Sequence, residues 1–144
     1  MALAGDRIPP ARAKQPLPPR SYPVQANAVI HADAIVALEN GKLRPASDAA
    51  GLQVIGIALE KYDNTGGPDD AAHVMVGRGQ YRIRTSTADG GTAITAADVG
   101  NQAVAASDEF VVSGGLINNN QAGEITGFED PEWVWVDFHR AGAQ

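Results

Sequence analysis

Valine and isoleucine outnumber leucine three to one in this 144-residue chain, 21 against 7. A branched β-carbon restricts the side chain on a helix and packs well on a pleated strand, so the bias predicts strands. It acts on a thin supply of core. Leu, Ile, Val and Phe total 31 residues, whereas alanine makes up 25 of the 63 apolar ones. That supply sits just above the level at which disorder becomes the default. Sixteen glycines and nine prolines provide many turns. These numbers argue against a helical bundle and a coiled coil, and no run approaches the roughly 18 apolar residues of a spanning helix.

The prolines divide the chain. Six of the nine, Pro9, Pro10, Pro16, Pro18, Pro19 and Pro23, fall in the first 23 residues. Charge divides it the same way. Up to residue 28, Arg7, Arg12, Lys14 and Arg20 stand against Asp6 alone, whereas the remainder carries 7 basic and 16 acidic residues. Proline lacks the donor that a helix or ladder needs and biases its neighbour toward extended backbone. Residues 1–27 therefore read as an extended basic arm, 28–140 as the folded domain and 141–144 as a short tail. Some 25 residues in polyproline II geometry reach about 75 Å. On composition alone the arm reads as a disordered tail, with ordering along a partner as the sharper alternative.

The domain reads as short strands separated by turn residues. Segments 28–31 and 35–38 lead into Glu39-Asn40-Gly41-Lys42, a hairpin signal built on Asn-Gly. Segment 52–59 (LQVIGIAL) is apolar on both faces, as in a central strand, and Gly56 within it predicts a bulge or a close backbone approach. Segment 61–70 (KYDNTGGPDD) reads as a loop. Strands are predicted at 73–76 and 80–84, around Gly77-Arg78-Gly79. In the second, Tyr81 and Ile83 face one way while Arg82 and Arg84 face the other. Thr95-Ala96-Ala97-Asp98 resembles a capping box that Gly100 stops after one turn. Segments 102–105, 110–112, 124–128 and 133–138 complete about eight strands. The expected fold is all-β, a small barrel or sandwich with one helical turn.

The chemistry that composition permits is narrow. With no cysteine, a disulfide scaffold, a thiolate zinc site and a cysteine nucleophile are excluded. Asp6, Arg7 and Pro9 break any apolar signal-peptide core. His31, His73 and His139 lie far apart; His31 with Asp33 sharing a metal is far less expected than two polar residues at a turn. The oxygen-rich loop from Asp63 to Asp70 fails the EF-hand spacing, because Gly67 stands where a ligand belongs. Gly77-Arg78-Gly79 lacks the Gly-Lys-Ser/Thr of a phosphate loop, and no G-x-S-x-G elbow occurs. The expectation is a protein that is not an enzyme and takes no cofactor. The acidic domain argues against a nucleic-acid partner, and nothing calls for a membrane. Trp133 and Trp135 alternate with Val134, Val136 and Phe138, so the last strand is apolar on both faces. One face belongs to the core. The other either belongs to a second core or is covered by the arm or a neighbouring subunit.

The order of motifs resembles a known family, the capsid decoration or cement proteins of tailed phages and prophages. The matching stretches are Ala34-Ile35-Val36-Ala37-Leu38 with Gly41 and Pro45-Ala46, then Gly51-Leu52-Gln53-Val54-Ile55-Gly56-Ile57-Ala58 and Asp63-Asn64-Thr65-Gly66. Val74, Val76, Arg78-Gly79 and Ile94-Thr95-Ala96-Ala97-Asp98-Val99-Gly100 follow, and Ala122-Gly123 and Val134-Trp135-Val136 close the pattern.

The resemblance implies a compact, β-tulip-like domain on the outer surface of an icosahedral head. It would be made in the bacterial cytoplasm, be often trimeric, and lock neighbouring major capsid protein subunits together. Gly51, Gly66, Gly79 and Gly100 then take positive-φ positions. Val54, Ile55, Ile57, Ile94 and Val99 fill the barrel. The long arm and the loop 114–121 (GGLINNNQ) depart from the family pattern. The resemblance also favours an ordered, capsid-binding arm carried by Arg7, Ile8, Arg12, Lys14, Leu17, Arg20 and Tyr22. Arg82, Arg84, Trp133 and Trp135 form a possible subunit or capsid interface. Removing residues 1–23 is expected to weaken shell binding and leave the domain folded. The alternative is another virion β module, such as a fibre base or a host-surface, carbohydrate-binding domain.

Overall fold

The computed structural model describes residues 17–138. Over them form twelve strands: β1 (Leu17–Pro23), β2 (Val29–Ile30), β3 (Ile35–Glu39), β4 (Lys42–Pro45), β5 (Gln53–Ala58), β6 (Tyr62–Asp63), β7 (His73–Arg78), β8 (Gln80–Thr85), β9 (Gln102–Ala105), β10 (Phe110–Val112), β11 (Gln121–Glu129) and β12 (Trp133–Asp137). One 3-10 turn, Ala96–Asp98, precedes β9. The all-β class and the single helical turn are as the sequence predicts, with sheet and barrel both present. Five strands form an open antiparallel sheet in the order β1-β7-β5-β3-β4, and five close a barrel in the order β10-β8-β12-β11-β9. β10 lies parallel to β8, whereas the other pairs in the barrel are antiparallel. β2 and β6 pair apart from both.

The centre of the open sheet is buried on both faces, which is why β5 has no polar side. Ile35, Ala37, Val54 and Ile57 join the barrel residues Ile125, Val134, Val136 and Phe138 in one core. Val36, Ile55, Val74 and Val76 join Ile30 and Leu43 in a second core beyond the sheet. Strict alternation along β5 would put Val54 and Ile57 on opposite faces. They share a face because the register slips: Val36 opposes Gly56, while Ala37 opposes Val54. This bulge shifts the side-chain phase by one and lets a short strand feed both cores. Gly56 also sits where a β-carbon would lie 2.3 Å from the Gly77 carbonyl oxygen. The bulge and the close approach coincide at this position.

Local signals hold at the turns. Asn40 and Gly41 have φ of 53° and 80°, the primed geometry that favours Asn-Gly between β3 and β4. Gly51, Gly66, Gly79 and Gly100 all have positive φ. The Thr95 N–H donates to the Asp98 carboxylate at 2.9 Å, and the Gly100 N–H ties the turn to the Ile125 carbonyl at 2.8 Å. Val99 departs from expectation: it is 45% exposed. Extended backbone after the turn carries its side chain outward, so the backbone bond at Gly100, not Val99, anchors this corner. Ile55 departs too, since it packs in the second core rather than in the barrel.

The chain joins the body earlier than the boundary at 27 and 28. Leu17–Pro23 is strand β1, paired with β7 at the edge of the sheet, with an irregular register between Leu17 and Arg20. Pro18 and Pro19 fall in that irregularity; lacking donors, they suit an edge strand. β1 covers Arg78, which is only 6% exposed and donates from one terminal guanidinium nitrogen to the Pro18 carbonyl at 3.0 Å. Tyr22 packs on the second core. Removing residues 1–23 would therefore strip part of the body, contrary to the expectation that the domain stays folded. The segment 61–70 is not all loop, since Tyr62–Asp63 forms β6. The buried Asn64 amide donates to the carbonyls of Gln25 and Pro68, both at 2.9 Å, and fastens the remainder over the second core.

Candidate functional site

Strands β8 and β12 set the geometry of the one patch where the sequence-derived interface residues meet. They pair antiparallel, with Trp133 opposite Arg84 and Trp135 opposite Arg82. Ile83, Val134 and Val136 point into the barrel core. The period of two then forces Arg82, Arg84, Trp133 and Trp135 onto the outer face together. Hydrophobic burial on one side thus fixes the display of cations and indoles on the other.

The patch is internally bonded. The Arg82 guanidinium lies 4.2 Å from the Trp133 ring centroid. Its Nε donates to Glu129 Oε1 at 3.0 Å, and the Trp135 indole N–H donates to Glu129 Oε2 at 2.8 Å. Glu129 therefore bridges a cation and an indole on neighbouring strands. Arg84 donates to Glu132 Oε1 at 3.1 Å and lies 5.6 Å from the Phe110 ring. Gly127 stands opposite Trp135, where a β-carbon would come within 3.3 Å of the indole Cδ1. A glycine there leaves the ring room to lie against β11. Each of these contacts is worth about 1 kcal/mol or less at such exposure. The groups are ordered, yet they can exchange one another for a partner cheaply.

Beside the patch runs a cleft of about 410 Å³, lined by His31, Asp33, Ile35, Arg84, Asp108 and Trp133 among others. It lies where sheet and barrel meet, and the Ile35 N–H donates across that junction to the Asp108 carbonyl at 2.8 Å. His31 and Asp33 are exposed on its wall, as residues of a turn in which Asp33 has φ of 70°. Among the described residues no group of three His, Asp or Glu side chains gathers as a metal site would require. In the loop 61–70, Asp63 accepts from the Thr65 hydroxyl and N–H and Asp69 accepts from the Ala26 N–H at 2.8 Å. These carboxylates hold their own chain. Among the described residues no helix is long and apolar enough to cross a membrane.

Of the arm residues, Arg7, Ile8, Arg12 and Lys14 lie outside the described residues, as do residues 141–144. Leu17, Arg20 and Tyr22 lie on β1, opposite Arg78, Val76 and Val74 respectively. Arg20 is exposed, whereas Tyr22 is an anchor to the body. The structure does not bring these three to the β8–β12 patch. Sequence reasoning missed Glu129, Glu132, Phe110 and Gly127. A tight hairpin through Asp130-Pro131 would have placed Glu129 opposite Trp133 and Gly127 opposite Trp135. Phe110 carries no such signal, because its place follows from the parallel pairing of β10 with β8.

No family model, curated protein or solved structure matches this chain.

Proposed function

We propose that this chain is a structural virion protein that binds the outer surface of an icosahedral phage shell and cements contacts between major capsid protein subunits. The observation that carries this reading is how the basic segment joins the acidic body. Pro18, Pro19, Arg20 and Ser21 are exposed, so β1 lies along the outside of the sheet as an edge strand. The sixteen residues before it carry Arg7, Arg12 and Lys14 against a single Asp6. A positive segment tethered to a rigid negative body gains an effective-concentration advantage on any surface that binds both. The order of turn and core motifs that resembles decoration proteins supports the same reading. The β8–β12 patch offers a second contact, in which Arg82 and Arg84 exchange Glu129 and Glu132 for partner carboxylates.

The test is cosedimentation of the full chain with empty expanded heads assembled from the major capsid protein, followed by imaging of the complex. Binding should be saturable and should weaken at least tenfold when residues 1–16 are removed, with the melting temperature unchanged. Full-length protein that stays in the supernatant overturns the proposal. A carbohydrate-binding module is a second reading, favoured by one observation: Trp133 borders a cleft that also holds carboxylates. Arg82 already covers that indole at 4.2 Å, so a sugar must first displace the cation.

A further inference from the structure

The cleft at the junction of sheet and barrel plays no part in the shell-binding reading, yet its lining is sharply divided. Ala34, Ile35 and Ile83 line it and are buried, so they form its floor. Asp33 and Glu109 are exposed and Asp108 is half-buried, so these carboxylates form its rim. The backbone beneath the rim is pinned. The Asp33 N–H donates to the Ala58 carbonyl at 2.8 Å, and the Ala58 N–H donates to the Ala34 carbonyl at 2.9 Å. On the other wall, Ser107 Oγ accepts from the N–H groups of Glu109 and Phe110, both at 3.2 Å. The ordering cost of presenting this rim is therefore largely met before anything binds.

Charge selects the occupant. Elsewhere carboxylates hold their own chain: Glu39 accepts from Gln25 and Arg44, Asp48 from the N–H groups of Ile117 and Asn118, and Asp70 from Lys42. Among the described residues none donates to, or pairs with, the side chains of Asp33, Asp108 and Glu109. Arg82 and Arg84 also line the cleft, but Glu129 and Glu132, outside its lining, already face them. Three unpaired carboxylates thus stand over an apolar floor, and low-dielectric walls focus their field. They do not converge as a metal ion requires. An arginine side chain suits both parts: its stem buries on apolar surface, and its planar fork of five donors spans separated acceptors. We propose that the cleft receives an arginine of a partner protein, its stem against Ile35 and Ile83 and its guanidinium among Asp33, Asp108 and Glu109. This contact is the reverse of the one at the Arg–Trp patch, where the partner supplies carboxylates.

Calorimetric titration of the full chain with an end-blocked Gly-Arg-Gly-Arg-Gly peptide tests it, with backbone amide shifts locating the site. Binding should be saturable, should move the amides of Asp33, Asp108 and Glu109, and should weaken as salt is raised. The same peptide with citrulline for arginine, a neutral analogue of nearly the same shape, should bind at least tenfold more weakly. This comparison uses the unaltered chain and needs no variant to fold. Asp108→Asn with Glu109→Gln should weaken binding more than tenfold. Asp89→Asn with Glu124→Gln removes the same charge from exposed residues outside the cleft and should change it less than twofold. Removing residues 1–16 should also change it less than twofold. No saturable binding, equal binding of the citrulline peptide, or equal losses in the two double variants overturns the proposal. So does much tighter binding after removal of residues 1–16, which would assign the cleft to this chain's own basic segment. Cosedimentation with heads is read separately, so failure here leaves the shell-binding proposal standing.

Discussion

The sheet and the barrel share a core but differ in what lies on their far sides. Beyond the sheet is a second core, closed by β2, β6 and the loop that Asn64 fastens. Beyond β8 and β12 is solvent, with two arginines and Trp135 held by carboxylates and Trp133 covered by Arg82. A residue at the centre of the sheet, on β3 or β5, therefore has backbone or packed side chain on either side. One on the barrel's outer face has neighbours that can swing away. Structural constraint concentrates in the first region, and freedom to meet a partner in the second.

Removing strands is the harshest way to break this contrast. Loss of residues 1–23 takes Tyr22 and uncovers Val74, Val76 and Arg78, costing on the order of 5 kcal/mol. Loss of residues 1–16 should cost less than about 1 kcal/mol. Chemical denaturation of the two truncations checks this, and equal midpoints would show that β1 does not stabilise the sheet. One substitution made in both regions is a finer probe. Gly56→Ala sets a methyl 2.3 Å from a carbonyl oxygen and should cost about 3 kcal/mol, lowering the melting temperature by about 10 °C. Gly127→Ala meets only the edge of an indole at 3.3 Å and should cost about 1 kcal/mol or less. A reversed order in thermal melts would mean that the barrel face is the more rigid of the two. Glu129→Gln keeps an acceptor for Trp135 but removes the charge facing Arg82. It should cost less than about 1 kcal/mol, while tryptophan emission shifts as the patch loosens.

Acid should have the smallest effect. The Glu39 carboxyl is held below its usual range, first by the Gln25 amide and then by the Arg44 guanidinium. Asp63 is lowered by the Thr65 hydroxyl and then by its N–H. A depressed carboxylate contributes fully above its unfolded pKa and loses that contribution as pH falls through the folded value. Stability should hold from neutral pH down to about 5 and decline below about 4. Glu39→Gln should make the decline shallower in pH-dependent melts. An unchanged slope would show that the interactions at Glu39 play no part.

Much of the body was legible because its signals are local. Asn40–Gly41 names its own turn, Thr95 to Asp98 closes on itself, and LQVIGIAL is apolar on both faces because both faces are buried. The alternation of Trp133 and Trp135 with Val134 and Val136 was enough to separate two faces, as was that of Arg82 and Arg84 with Ile83, but which face turned outward required the closed barrel. What escaped depends on distant pairing. Prolines disguised β1, whose strand character comes from β7 some 55 residues later in the chain. Tyr62–Asp63 became a strand only because Val29–Ile30 lay beside it. Val99 looked like core by its side chain and was turned outward by the backbone after a single helical turn. The inventory of the patch was half legible: the cations and indoles could be read from alternation, but the carboxylates that hold them required the hairpin register.

The position of β12 carries a consequence for synthesis. The last strand of the described chain is not an edge but a stave between β8 and β11. The barrel therefore has a gap until Asp137 has been made. β8 waits more than 45 residues for the partner that covers its flank, and Ile83 waits with it. Such late, long-range closure slows folding relative to a domain built from neighbouring hairpins. A nascent chain emerging from the ribosome can assemble the open sheet early but cannot seal the barrel. The Arg–Trp patch, which needs β12, is consequently among the last features to form. An incomplete chain does not present it.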